Sequence, residues 1–209
     1  MRKLVRIGCG LLLAAGAGAP AAAQQAGQEV ATATTVAANV REEYANAARQ
    51  LSEQDRVRFG ARVVTGPLSA NVDRFDDGSV LTIGDGATVT IDRFVYSPAD
   101  NAGALVVSNA RGALRFVSGR MQDAGYRIQT PFAFVGIRGT RFVLAHDPAA
   151  GSTVYVEDGV VEFANQAGAS VTVTAGLAST VTAPDSAPTP PAPPSTSSGC
   201  ATTGSGIPT

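Results

Sequence analysis

A chain of 209 residues accommodates one domain of ordinary size or two small ones. Hydrophobic residues make up 44% and charged residues 16%, which excludes wholesale disorder. The formal charge of −1 excludes a polybasic nucleic-acid binder, so no nucleic-acid partner is expected.

The first segment carries Arg2, Lys3 and Arg6 ahead of a short apolar stretch around Leu11 to Ala15, and Ala21-Ala22-Ala23 offers the small residues of a cleavage site. This pattern predicts a signal peptide over 1–23 and a protein that is periplasmic or secreted. The apolar run is shorter than the roughly 20 residues a membrane-spanning helix needs, so no stable membrane anchor is expected after cleavage. Cleavage leaves 13 basic groups, all arginine, against 17 acidic ones, a formal charge of −4. It also leaves Cys200 as the single cysteine, which excludes an intramolecular disulfide.

Residues 24–50 form an N-terminal extension that fits either a strand or a short helix. Glu29 to Val36 is rich in valine and threonine, as a strand would be. Tyr44, Ala47, Ala48 and Leu51 fall on the i, i+3, i+4, i+7 template, as a helix over 41–52 would place them. From 51 to 182 the chain reads as one β domain. Val89 and Ile91, Tyr126 and Ile128, and Val171 and Val173 each alternate with polar neighbours, which gives one face of each strand to a core. Turn signals stand between them at Asp77-Gly78, Asp85-Gly86, Gly112, Gly119, Asp158-Gly159 and Gly168. The fold class is therefore all-β, a solenoid-like or sandwich-like stack of short strands. Residues 183–209 hold seven of the 12 prolines among Ser, Thr, Ala and Gly, and read as a disordered, solvated tail.

The search for chemistry returns little. His146 is the lone histidine, in Ala145-His146-Asp147-Pro148, and reads as a surface-loop residue; no catalytic triad or histidine metal cluster can be built around it. Asp73, Asp76, Asp77 and Asp85 lack the spacing of a calcium loop and read as turn formers. No phosphate loop is present, and Glu42-Glu43 are adjacent, so a strand or helix would not present both to one substrate. No catalytic residue, cofactor or metal is expected, and the protein is read as a non-enzyme.

One stretch stands out, running from Thr130-Pro131 to Gly136-Ile137-Arg138-Gly139-Thr140-Arg141-Phe142. Two glycines bracket Ile137-Arg138, a placement that permits a sharp backbone excursion or a close approach of strands. Arg138 between them could present its forked donors to orphaned carbonyls or a carboxylate, or contact a partner. Thr130, Pro131, Gly136, Ile137, Arg138, Gly139, Thr140 and Phe142 are therefore the candidate residues for a structural or partner-contact motif.

This stretch resembles the signature of the FecR domain, in which a Thr-Pro, a short apolar run and a V/I-R-G-T-x-F element follow in that order. Val64-Thr65-Gly66-Pro67, Phe75-Asp76-Asp77-Gly78-Ser79, Asp92-Arg93-Phe94-Val95-Tyr96, Gly112 to Gly119 and Val156-Glu157-Asp158-Gly159-Val160-Val161 are similar to further elements of that family. The resemblance covers about 51–181. It implies a periplasmic, all-β module, and the best-known members relay the occupancy of an outer-membrane siderophore receptor to a sigma factor. With an expected signal in place of a cytoplasmic segment, this chain is read first as an exported binding or scaffold module whose partner is an envelope protein or polymer. An accessory role in iron or siderophore signalling is the second reading, and an enzyme acting on an envelope glycan the third.

Overall fold

Short apolar alternations broken by glycine and aspartate fold into fourteen strands: β1 (Glu29–Ala37), β2 (Val40–Tyr44), β3 (Ala47–Gln50), β4 (Arg56–Arg58), β5 (Arg62–Thr65), β6 (Ala70–Phe75), β7 (Val80–Ile83), β8 (Thr88–Ser97), β9 (Ala102–Val117), β10 (Tyr126–Gln129), β11 (Ala133–Asp147), β12 (Gly151–Asn165), β13 (Ser170–Thr174) and β14 (Ala178–Val181). The computed structural model describes residues 27–122 and 125–194; the expected signal peptide lies outside the described residues, as does the chain beyond 194. The described residues contain no helix. Helix formation over 41–52 is overturned: β2 and β3 are a hairpin across Ala45 and Asn46, whose positive φ values of 50° and 64° match the twist of flanking strands. The helical period there arose from a strand pattern disguised by Glu42, a charged residue that points inward.

Pairing links all fourteen strands into one sheet, yet the registers divide it into two layers. In the first, the order is β3, β2, β5, β8, the start of β9, β10, the start of β11, the end of β12, and β13. In the second it is β4, β1, β6, β7, the end of β9, the end of β11, the start of β12, and β14. The layers face each other across the core: Phe75 of β6 stacks on Phe94 of β8 at 5.5 Å between centroids, and Phe116 of β9 meets the edge of Tyr126 of β10 at 5.4 Å. Each such buried aromatic contributes about 1.5–3 kcal/mol from burial, with a further increment for ring geometry. The arrangement is sandwich-like.

Three strands are not short, and these run through both layers. β9, β11 and β12 span 16, 15 and 15 residues. A strand that changes layers must present its opposite face to the same core, so the alternation of buried residues has to slip by one. It does so in each case. Leu105 and Val107 are buried before the slip in β9 and Leu114 and Phe116 after it; in β11 Val135 and Ile137 give way to Phe142 and Leu144; in β12 Val154 and Val156 give way to Val161 and Phe163. At the three slips stand Gly112, Gly139 and Gly159, with φ of +86°, +56° and +84°, a region closed to most side chains. Gly112 and Gly159, read from sequence as turns, are bends inside long strands.

The expected solvated tail also differs over its first residues. Ala178 and Ala192 exchange main-chain hydrogen bonds of 2.8 and 3.0 Å, Thr189 N–H donates to the Thr180 carbonyl at 2.9 Å, and Pro188 is buried. Asn165 holds the Ser186 carbonyl at 2.9 Å. Residues 183–194 are thus a strap along β14, which an extended proline-rich segment can form because only its non-proline positions have to donate.

Candidate functional site

Seven of the eight motif residues divide among a turn, the core, a corner and the outer face of a sheet. Thr130 and Pro131 make the tight connection between β10 and β11, where the buried Thr130 hydroxyl accepts the Phe132 and Ala133 amides at 3.2 and 2.9 Å and meets Ser152 Oγ at 2.6 Å. Ile137 and Phe142 are core residues on either side of the slip, Phe142 lying 5.9 Å from the Phe116 ring. Gly139 and Thr140 form a corner with Gly159: a side chain at Gly159 would sit 2.5 Å from Thr140 Cγ2 and 2.8 Å from the Gly139 carbonyl. The Thr140 amide donates to Ser118 Oγ at 3.0 Å, and its carbonyl accepts the Ser118 amide at 3.1 Å. Arg138 pairs through its backbone with Val160; the forked-donor role expected of its side chain lies outside the described residues.

Gly136 belongs to neither corner nor core. Its φ is not positive, and an added Cβ would meet only ordinary contacts, the nearest at 3.8 Å, so the expectation of a backbone closed to a side chain does not hold there. It is instead a gap in the outer face of the first layer. In register across four strands stand Arg127, Gly136, Glu162 and Thr172. The missing side chain leaves a groove of about 530 Å³, with Phe134 and Val160 on its walls. The Arg127 guanidinium lies 4.1 Å from the Phe134 ring centroid, so a cation, an aromatic face and the Glu162 carboxylate border one glycine floor. Among these, only Gly136 was singled out from sequence as a site residue. The registers that bring Arg127, Glu162 and Thr172 beside it span strands far apart in the chain and leave no local signal.

Beyond the corner, on the outer face of the second layer, Glu157 accepts a bidentate pair from Arg115 (Nε 3.0 Å, Nη2 2.8 Å), with Arg141 Nε at 3.4 Å. All three are partly solvated, which limits this network to a modest contribution.

Inside the opposite end, Glu42 is fully buried, with Arg49 Nε at 2.5 Å and Arg58 Nη2 at 2.7 Å on one oxygen and the Arg58 amide at 3.0 Å on the other. Burial alone would raise the Glu42 carboxyl, but the hydrogen bonds of Arg58 and Arg49 outweigh it and hold it below its usual range. Asp73 is not a turn former: it sits within β6, fully buried, and neither carboxylate oxygen has a hydrogen-bond partner among the described residues. Burial pushes it up to about 7, against an opposing pull from the neighbouring Asn71 side chain and with the Glu42 charge adding to the rise. Asp77, by contrast, closes its turn as expected, accepting the Ser79 amide and hydroxyl at 3.1 and 2.7 Å and the Tyr126 hydroxyl at 2.5 Å.

His146 is a correction. It lies in β11, 3% exposed, with Nδ1 2.9 Å from Ser152 Oγ and the Phe132 ring edge-on at 5.0 Å. Burial lowers its pKa, so the neutral ring is the buried form. Its partner Ser152 is itself fully buried and continues to Thr130, which makes the chain His146–Ser152–Thr130 a brace between the ends of β11, β12 and β10. Among the described residues no three His, Cys, Asp or Glu side chains converge as metal ligands.

Residues 61–162 match the family model described as FecR protein. No curated protein matches the chain. Two crystal structures of a candidate anti-sigma factor from Parabacteroides distasonis are similar, each with a TM-score of 0.48, at 17% and 18% identity, over 61% of this chain. The match spans 57% of those chains. The matched family segment runs from just before β5 to β12 and so contains the corner, the groove floor and the glycine-bracketed motif. Residues 61–162 of the chain are a FecR domain.

Proposed function

We propose that this protein is an exported, non-enzymatic binding module of the cell envelope, in which the FecR domain offers the groove over Gly136 to an envelope protein or polymer. One observation carries the reading: an outward glycine in a β-sheet, flanked in register by Arg127 and Glu162 and next to Phe134, exposes a shaped surface with aromatic, cationic and anionic borders. Export rests on the pattern of residues 1–23. Within the motif, the corner and the Thr130 turn serve the fold, while the groove over Gly136 is open for recognition.

Gly136→Val tests this directly, because its side chain enters the groove from a position where an added Cβ meets only ordinary contacts. Tagged wild type and Gly136→Val are compared for capture of envelope proteins and polymers from a periplasmic extract, with Phe134→Ala as a second probe. A partner held by the wild type and lost by both variants supports the reading; identical capture by all three overturns it. An accessory role in iron or siderophore signalling is a second reading, favoured by the FecR domain itself. Deletion of the gene with an unchanged transcriptional response to iron starvation removes it.

A further inference from the structure

Four strand edges end the two layers, and the chain treats one of them differently. β3 and β4 are only four and three residues long and carry arginines, Arg49, Arg56 and Arg58, whose charges discourage a further strand. β14 is covered by the strap of residues 183–194. Among the described residues β13, five residues long, has neither a charge on it nor a strap over it. Its sequence, Ser170-Val171-Thr172-Val173-Thr174, contains no charge, no proline and no glycine, and among the described residues it pairs with β12 alone.

The ladder shows which main-chain groups this edge presents. Asn165 N–H donates to the Ala169 carbonyl at 3.0 Å and Ala175 N–H to the Gly159 carbonyl at 3.1 Å, and the antiparallel register between them pairs Val171 with Phe163 and Val173 with Val161. The odd-numbered residues of β13 therefore bond to β12, and Ser170, Thr172 and Thr174 aim their N–H and C=O groups away from it. Among the described residues only the Thr174 carbonyl is engaged elsewhere, by the Leu177 amide at 3.1 Å.

We propose that β13 is a self-association edge, at which a second copy of this chain adds its own β13 antiparallel about Thr172. The strand is close to a palindrome around that residue, with Val171 and Val173 on its two sides and hydroxyl residues Ser170 and Thr174 beyond them. A twofold axis at Thr172 aligns the outward-pointing positions with one another. Thr172 exchanges both main-chain bonds with its copy, and each Thr174 N–H meets the other chain's Ser170 carbonyl. Val171 then faces Val173 of the other chain, a β-branched pair of the kind sheets favour. The nearest like charges are the two Glu162 carboxylates, in register with Thr172 and one strand further out on each side. At a strand spacing of about 4.8 Å they stand about 14 Å apart, beyond the Debye length of about 8 Å at physiological salt. The dimer joins two first layers into one continuous sheet with the Gly136 grooves on either side of the axis. This inference does not depend on what the groove binds.

The test is sedimentation and light scattering of the mature chain up to about 0.5 mM, since one added strand is a small interface. It is paired with amide hydrogen exchange at low and high concentration. The expected result is a concentration-dependent dimer, with protection of the Ser170, Thr172 and Thr174 amides rising with concentration while the Val171 and Val173 amides are protected throughout. Thr172→Pro removes the outward N–H without touching the β12 ladder, and Thr172→Lys places two charges at the axis; both should be monomers with wild-type unfolding at low concentration. A wild-type monomer across the range overturns the proposal. So does a dimer that survives both variants. Full protection of the Thr172 amide in the dilute monomer also overturns it, because the edge would then be covered by the chain itself.

Discussion

The corner shared by β11 and β12 and the polar interior between β2, β4 and β6 solve opposite problems. At the corner the difficulty is in the backbone: two adjacent strands must change layers together, Gly139 and Gly159 both supply positive φ, and Gly159 also supplies clearance where a side chain would collide with Thr140. At the other end the backbone is ordinary and the difficulty is in the side chains. A carboxylate, Glu42, is buried and matched by two arginines, while a second, Asp73, is buried and matched by none. Each backbone exception is solved at the residue itself, by a glycine at the bend; buried charge is solved by assembly, with Glu42, Arg49 and Arg58 drawn from three strands.

The largest expected effect is on the corner. Gly159→Val should destabilise the domain by about 3 kcal/mol or more, through both its φ of +84° and the collision with Thr140, and thermal unfolding should show a drop of many degrees. An unchanged melting temperature would remove the backbone side of the contrast. Next comes Glu42→Gln, which leaves two arginines without their carboxylate; a loss of about 2 kcal/mol in denaturant unfolding is expected, short of a fully buried pair because both arginines reach solvent.

Asp73→Asn has a smaller effect that depends on pH. In the unfolded chain Asp73 releases its proton near its ordinary value of 3.8, and in the folded protein it retains the proton to about 7. The folded state therefore holds the extra proton in this window, so the stabilisation is complete at the acid end and is lost as pH rises through the window. Stability of the wild type relative to Asp73→Asn should fall between about pH 4 and about pH 7 and level off above, and a flat difference would mean that Asp73 is ionised throughout. Arg115→Ala should cost no more than about 0.5–1 kcal/mol, a loss that shrinks with added salt. Gly136→Ala should be nearly silent in stability, which separates the first glycine of the motif from Gly139.

The same contrast explains what could be read before the structure was known. The all-β class followed from alternation, and the Gly139 corner was visible in part, because a glycine between Arg138 and Thr140 in a strand pattern marks a backbone exception. The layer change itself is masked: burial passes from 133, 135 and 137 to 142 and 144, a slip of one, but Phe134, Val143 and Ala145 are apolar too and blur the alternation. Glu42 misled because an inward charge breaks the alternation on which strand assignment depends, and its arginines lie 7 and 16 residues away. His146 misled for a related reason. Asp147-Pro148 after it signals a turn, but the histidine is the last inward residue before that turn and finds its partner, Ser152, across the hairpin. The groove was invisible because a glycine in a strand declares only that something is missing, not which neighbours surround the gap.

Because β11 and β12 are members of both layers, the two faces of this protein share covalent material. A pull on the groove in the first layer is borne by the same two chains that, a few residues further on, carry Arg141 and Glu157 on the outer face of the second. Neither layer can peel, slide or melt without loading the other through the glycine corner. The domain should therefore respond to an occupant or a mechanical load as a single stiff body, with the corner as its fulcrum.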